Sequence, residues 1–169
     1  MTMKRLYTLV FLAITCVAIA STQGIQGKIT NFGIFRSASK EEVIKSPQTP
    51  SGVTRVDVGG PILVCATNII PAKIGILFGM SYEISNVPGP DRVIDVTKIA
   101  RHPRITKPDG TTTDGFTSIE KQPVLGGKVE GFTGYGFDHD YELVAGDWEF
   151  EIQYGGQTIG TQKFTVLKE

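Results

Sequence analysis

Two stretches of this chain alternate apolar residues with small or polar ones at every second position, and that alternation limits its fold more than any other feature. In 74–85, one face carries Ile74, Ile76, Phe78, Met80, Tyr82 and Ile84. In 147–154, one face carries Trp148, Phe150, Ile152 and Tyr154. A period of two is that of a β-strand with one buried face. The pattern therefore predicts two strands whose aromatic side chains lie in a core.

The end of the chain predicts a β-hairpin. Gly155 and Gly156 separate the strand at 147–154 from a second apolar run at 157–167, which is a hairpin signal. A strict two-residue loop would place Phe164 on the opposite face from Trp148. We therefore expect either a three-residue loop or a β-bulge near Gly160, because each of them restores the register.

Short runs rich in β-branched and aromatic residues predict further strands, separated by glycine and proline. These runs are 29–36, 53–58, 62–68, 92–99, 117–124 and 129–138. The segment 37–52 predicts a long surface loop and allows one turn of helix at 39–44, capped by Ser39. The segment 102–115 predicts an exposed loop, with a β-turn at Pro108, Asp109 and Gly110. About seven to nine short strands with almost no helical periodicity predict an all-β, antiparallel, immunoglobulin-like sandwich.

The first twenty residues have the pattern of a secretory signal peptide. Lys4 and Arg5 precede an apolar run at 6–19, and Ala18 and Ala20 supply the small residues of a cleavage site. The run is short for a membrane span, which needs about 20 residues. We expect cleavage after Ala20, a periplasmic or secreted product without a transmembrane span, a flexible lead-in at 21–28 and one sandwich domain at 29–169. An alternative is a lipoprotein anchored through Cys16.

Charge gives no sign of a nucleic-acid partner. Cleavage would remove two of the seventeen basic residues and none of the seventeen acidic ones, which leaves a net charge of −2. No basic stripe stands out that would bind a phosphate backbone. The mature chain would keep one cysteine, Cys65, which lies in an apolar run and predicts a buried core side chain rather than a reactive thiol.

Three segments are similar to a known bacterial family. The first segment is 68–82, in which Ile70 and Pro71 lead through a glycine into Phe78 and Gly79. The second is a closing hairpin formed by 141–150 with 164–166, and the third is the sequence Phe-Gly-Ile-Phe at 32–35. Together they resemble the family called domain of unknown function 3859, over about 29–167, apart from Ala145, where proline is more usual. The resemblance implies an exported β-domain and supplies no activity or catalytic residue.

One segment offers candidates for a binding surface. Tyr135, Phe137 and Tyr141 lie near a glycine-rich strand, where a ligand or another strand can approach closely. Asp138 and His139 complete this candidate surface. As an alternative, the acids Asp138, Asp140 and Glu142 with a histidine would form a metal site, although the sixth position of the loop is Leu143 where an EF-hand needs glycine.

No motif for catalysis or for a cofactor stands out in the sequence. His102 and His139 are the only histidines, and no nucleophile elbow, phosphate loop or dinucleotide fingerprint is present. The sequence therefore predicts no catalytic residue, no cofactor and no metal. It favours a non-catalytic exported module that binds an unidentified protein or cell-envelope component. A metal-dependent protein or enzyme and a lipid-tethered envelope component are the alternatives.

Overall fold

A computed structural model describes residues 24–38, 41–57, 59–89 and 93–168, and within them it contains eleven β-strands and one 3-10 turn. The strands are β1 (Gln26–Arg36), β2 (Glu41–Lys45), β3 (Val53–Asp57), β4 (Ile62–Cys65), β5 (Ile69–Pro71), β6 (Leu77–Ser85), β7 (Val93–Thr106), β8 (Thr112–Pro123), β9 (Val129–Gly136), β10 (Gly146–Tyr154) and β11 (Gln157–Leu167). The 3-10 turn is η1 (Asp140–Glu142). The predicted all-β fold is confirmed.

Two sheets form the body of the molecule. One has the strand order β4-β1-β6-β9, and the other has the order β5-β11-β10-β7-β8. The pairs β1–β4, β1–β6, β6–β9, β7–β8, β7–β10 and β10–β11 are antiparallel, and β5 pairs in parallel with β11. The strands β2 and β3 form a separate hairpin. The antiparallel sandwich is confirmed, with β2 and β5 as strands that the sequence did not indicate.

The core forms between the two sheets, where the alternating faces of β6 and β10 meet. Phe78 is fully buried, and its ring centroid lies 5.4–5.6 Å from those of Phe137, Trp148, Phe150 and Phe164. Of the aromatic residues predicted in the core, Phe78, Tyr82, Trp148 and Phe150 are buried and Tyr154 is half-buried. The strand predicted at 74–85 begins at Leu77, because Lys73–Ile76 forms a turn first.

The closing hairpin contains the expected bulge. Trp148 pairs with Phe164, and the register shifts next to Ile152, which pairs with Gly160 while Gln153 pairs with Thr158. The extra residue in β11 places Trp148 and Phe164 on the same buried face across a tight glycine turn. The prediction of a repaired register is confirmed.

The prediction of an exposed loop at 102–115 is wrong. β7 continues to Thr106 and β8 begins at Thr112, and Lys107 and Thr111 close the turn between them. His102 and Ile105 are buried, which the register shift between Arg101 and Ile105 permits despite the proline at 103. The predicted β-turn at Pro108, Asp109 and Gly110 is confirmed as the turn of this hairpin, with Gly110 at φ 84°.

Two other local predictions are also wrong. The segment 41–45 is a strand rather than a turn of helix, because it pairs with 53–57; Ser39 and Lys40 lie outside the described residues. Cys65 is exposed rather than buried, because β4 is an edge strand of its sheet and its apolar run does not reach the core.

The predicted leader, 1–20, also lies outside the described residues. β1 begins at Gln26, so the last residues of the predicted lead-in are paired with β6. No helix in the four described ranges is long and apolar enough to cross a membrane.

Candidate functional site

A groove of about 1000 Å³ lies where the sandwich is open between the edge strands of the two sheets. β9 is the last strand of the four-stranded sheet, and β8 is the last strand of the five-stranded sheet. Residues of both strands line the groove, together with residues of the hairpin β2–β3 such as Ile44 and Thr54. An open side with free strand edges is a place where a ligand can reach main-chain groups and the core at once.

Polar side chains occupy core-facing positions along this groove. Val96 and Ala100 on β7 are buried, so Lys98 between them points to the same side of the sheet. Its partner across the ladder is Ser118, and Glu120 is the partner of Val96. The Lys98 ammonium forms an ion pair with the Glu120 carboxylate. The inner wall of the groove is therefore polar where a sandwich core is usually apolar.

The hydroxyl of Tyr82 is the least satisfied polar group of the groove. Tyr82 is 1% exposed and lines the groove, and its hydroxyl oxygen has no hydrogen-bond partner among the described residues. Its ring lies against Gly131, where a Cβ would come within 2.4 Å of the phenol. Burial, and then the charge of Glu120, raises the pKa of Tyr82 far above its ordinary value. The hydroxyl is therefore a neutral donor and acceptor without a partner.

The main chain of β9 alternates between its partner strand and the free edge. Just past β9, the Phe137 N–H donates to the carbonyl oxygen of Ile76 at 3.0 Å, on the β6 side. The register continues in steps of two, with Tyr135 opposite Phe78 and Thr133 opposite Met80. In an antiparallel ladder the intervening residues point their N–H and C=O groups the other way. In β9 these are Glu130, Phe132, Gly134 and Gly136.

The structure divides the predicted surface residues into three places. Tyr135 and Asp138 line the groove, whereas Phe137 is fully buried in the core. The rings of His139 and Tyr141 stack at 5.2 Å on the 3-10 turn, and neither lines the groove. Tyr135 is also largely buried, and its hydroxyl donates a hydrogen bond to the Glu142 carboxylate. The prediction that Phe137 lies on a surface is wrong, because its ring packs against Trp148 in the core, a contact that spacing along the chain does not show.

The acids of the predicted metal loop do not converge. Glu142 is fully buried and accepts three hydrogen bonds, from the Tyr135 hydroxyl at 2.8 Å and from the N–H groups of Asp138 and His139 at 2.7 and 2.9 Å. Its carboxylate is thus a structural acceptor that holds the turn after β9. No group of three histidine, cysteine or acidic residues within the described ranges is placed to hold a metal ion.

His102 and Trp148 line a second, smaller cavity of about 350 Å³, together with residues of β7, β10 and β11. The ring centroid of His102 is 4.8 Å from that of Trp148, and its Nδ1 lies 2.8 Å from the Pro103 carbonyl oxygen. Burial lowers the pKa of His102, which the charge of Asp114 and the bond to Pro103 only partly oppose. Neighbouring Arg101 forms ion pairs with Glu149 and Glu151 across the sheet surface.

Sequence reasoning did not find Tyr82, Lys98, Ser118 and Glu120 as site residues. Periodicity predicts Tyr82 in the core, which is correct for its ring but gives no information about its hydroxyl. The available signal was the spacing of Ser118 and Glu120, which repeats every second residue as an inward face does. Their convergence depends on sheet order, which the spacing does not contain.

One solved structure is similar enough to support an immunoglobulin-like fold. An immunoglobulin-like protein from Pseudomonas aeruginosa, known from a crystal structure, superposes with a TM-score of 0.61 and 23% identity over 88% of this chain and 100% of its own. A β-glucosidase from Listeria innocua reaches a TM-score of 0.44 at 8% identity, over 85% of this chain and 16% of its own. No curated protein matches the sequence.

A family model assigns the chain. The model described as Domain of unknown function (DUF3859) matches residues 23–166. Because this match covers most of the sequence, the chain belongs to that family, and the resemblance drawn from the sequence is confirmed.

Proposed function

We propose that this DUF3859 protein is an exported, non-catalytic module that binds a protein or cell-envelope component in the groove between β8 and β9. The observation that carries the proposal is the buried, unpartnered hydroxyl of Tyr82 in the groove. A buried polar group without a partner costs about 1–3 kcal/mol. A bound ligand that completes the hydrogen bond would offset this cost.

The composition of the groove supports binding rather than catalysis. Serine, threonine and tyrosine hydroxyls line it, and the described part of the lining contains neither histidine nor cysteine. The cation nearest to Ser118 across the ladder, Lys98, is already paired with Glu120. A hydroxyl nucleophile needs an adjacent general base within hydrogen-bond reach. The lining offers hydrogen bonds and apolar contact instead.

Export is supported by the sequence of 1–20. A charged start, an apolar run and small residues before the proposed cleavage point form the pattern of a cleaved leader. We expect the protein purified from a bacterial periplasm to begin at Ser21, as intact-mass measurement would determine. A lipidated N-terminus at Cys16 would favour the lipid-tethered alternative, and a retained leader on cytosolic protein would contradict export.

A crosslinking experiment tests the groove. Ile119 borders the groove on the edge strand β8, and its side chain is on the outer face, 68% exposed, so a bulky probe there leaves the core intact. Val64 is 59% exposed on β4, an edge of the same sheet that contains β9. With a photoreactive benzoylphenylalanine at each position in turn, we expect a discrete crosslinked product from position 119 and none from position 64. Equal products from both positions, or none from position 119, would contradict the proposal.

Tyr82→Phe is the matched variant for this experiment. It removes only the hydroxyl, so we expect the crosslinked fraction from position 119 to fall by about two- to tenfold. Because the hydroxyl has no partner in the structure, its removal should leave the free energy of unfolding unchanged or raise it by up to about 1 kcal/mol. A loss of stability in urea unfolding would instead assign the hydroxyl a structural role.

A further inference from the structure

We infer that the groove receives an extended segment of a partner protein, which pairs with β9 as an added strand. This inference rests on the proposed function and names the class of partner. Among the described residues, β9 pairs with β6 alone. Its free edge borders the groove along most of its length, since residues 130–136 all contribute to the lining.

The strongest argument is the pattern of main-chain groups on that edge. Glu130, Phe132, Gly134 and Gly136 point their N–H and C=O groups away from β6, as the register and the Phe137–Ile76 bond require. Alternate residues of a strand are roughly 6.6 Å apart. Donors and acceptors repeated at that interval are complementary to another extended main chain, and strand addition is the binding mode that uses them.

Side chains leave the edge accessible at its far end. A Cβ at Gly136 would meet only Leu77 Cδ1, at 3.9 Å, so the space beside this residue is open. Gly134 lies under the ring of Phe132, whose Cζ is 2.7 Å from the position of a Cβ at that residue. The tip of the ring also lies 2.9 Å from the position of a Cβ at Gly79 on β6, so the ring extends over the outer surface toward β6 and away from the free edge. An incoming main chain can approach β9 there.

The charges of the groove favour a neutral main chain over a charged polymer. Among the described residues, its lining contains three lysines and three acids, namely Lys45, Lys98, Lys121, Glu120, Glu130 and Asp138. Lys98 pairs with Glu120, and Lys121 pairs with Asp95. Balanced and paired charges do not attract an anionic lipid or polysaccharide. The aromatic Tyr135 is 5% exposed, so its ring offers no open platform on which a sugar could stack.

An added strand would also satisfy the groove's inner wall. On β9, residues 131, 133 and 135 face the core, so an adjoining strand would present every second side chain toward the same interior. There they would meet Phe116, Ser118 and the hydroxyl of Tyr82. A partner residue with a hydrogen-bonding side chain at this position would complete the only unsatisfied group of that wall among the described residues.

The test compares Gly136→Pro with Gly136→Ala. Proline removes the outward N–H and is tolerated on edge strands, whereas alanine keeps the N–H and fits the open space. The probe is a peptide selected from a displayed random library against the wild-type domain. We expect Gly136→Pro to weaken peptide binding by about tenfold or more and Gly136→Ala by less than about twofold. Urea unfolding confirms that both variants fold.

The peptide provides a second readout that leaves the protein unchanged. The N–H groups of alternate peptide residues point to opposite sides of the added strand, and only one of the two sets faces β9. N-methylation of the residues in that set should abolish binding, and N-methylation of the other set should leave binding unchanged. The inference would be overturned if no peptide can be selected, or if neither Gly136→Pro nor N-methylation of the peptide changes binding. A dimer that Gly136→Pro dissociates would assign the edge to a second copy. Crosslinking from position 119 with either result would leave the proposed function standing.

Discussion

Replacing Phe78 with alanine is expected to lower the free energy of unfolding by about 4 kcal/mol, the largest effect of any single change considered. Large-to-small changes of a buried phenylalanine cost about 3–5 kcal/mol, because transfer energy is lost and a cavity remains. Phe78 is fully buried and contacts four aromatic rings contributed by β10, β11 and the turn after β9. Neighbouring rings from three segments cannot all shift inward to fill its volume.

Urea unfolding followed by tryptophan fluorescence would measure this effect, since Trp148 lies 5.4 Å from Phe78 between ring centroids. Phe78→Leu keeps most of the volume and should cost about 1–2 kcal/mol. Ile119→Ala, at a position 68% exposed, should change the free energy by less than about 0.5 kcal/mol. A loss below about 1.5 kcal/mol for Phe78→Ala would mean that the core is not packed as described.

Replacing Glu142 with alanine is expected to lower the free energy of unfolding by about 3 kcal/mol. The buried carboxylate accepts hydrogen bonds from the Tyr135 hydroxyl and from the N–H groups of Asp138 and His139. Hydrogen bonds to a charged group contribute about 1.5–3 kcal/mol each, and donors left unpaired add their desolvation penalty. The three bonds share one acceptor group, so their contributions do not sum.

Two further variants distinguish the loss of the buried hydrogen bonds from a loss of stability that any substitution in this turn would cause. Glu142→Gln keeps the shape: its amide oxygen can accept from the two N–H groups, and its NH2 group can donate to the Tyr135 hydroxyl oxygen. It should lose roughly half as much stability, because hydrogen bonds to a neutral amide are weaker than those to a carboxylate. Asp140→Ala changes an exposed acid on the same turn and should cost less than about 0.5 kcal/mol. Urea midpoints would decide the order. Equal losses for Asp140→Ala and Glu142→Ala would show that the buried hydrogen bonds are not what stabilises this turn.

The place of Glu142 in the structure differs from the one that the acidic pattern predicts. Three acids at alternate positions predict an oxygen-rich site, and nothing in that spacing indicates that one of them is buried. The 3-10 turn points Glu142 inward, under Tyr135, while Asp140 stays on the surface. The backbone of the turn sets the direction of each side chain, and neither the two-residue period of a strand nor the 3.6-residue period of a helix predicts that direction.

The candidate groove shows the same limit on a larger scale. Tyr82 belongs to β6, Lys98 to β7 and Glu120 to β8, and these strands are distributed over both sheets. The local sequence pattern predicts each of these three residues within a strand. Their meeting at one open side depends on which strands are edges, and edges are a property of strand order rather than of any strand's sequence.

Local sequence thus determined what local forces determine: the strands of alternating pattern, the buried faces of β6 and β10, and the bulge that aligns Trp148 with Phe164. These follow from side-chain alternation along one or two neighbouring segments. Tertiary structure alone decided that β9 is a free edge, that Cys65 is exposed and that the Tyr82 hydroxyl is buried without a partner. The physical reason is that pairing partners distant in sequence fix those outcomes, and a strand's own residues do not specify its neighbours.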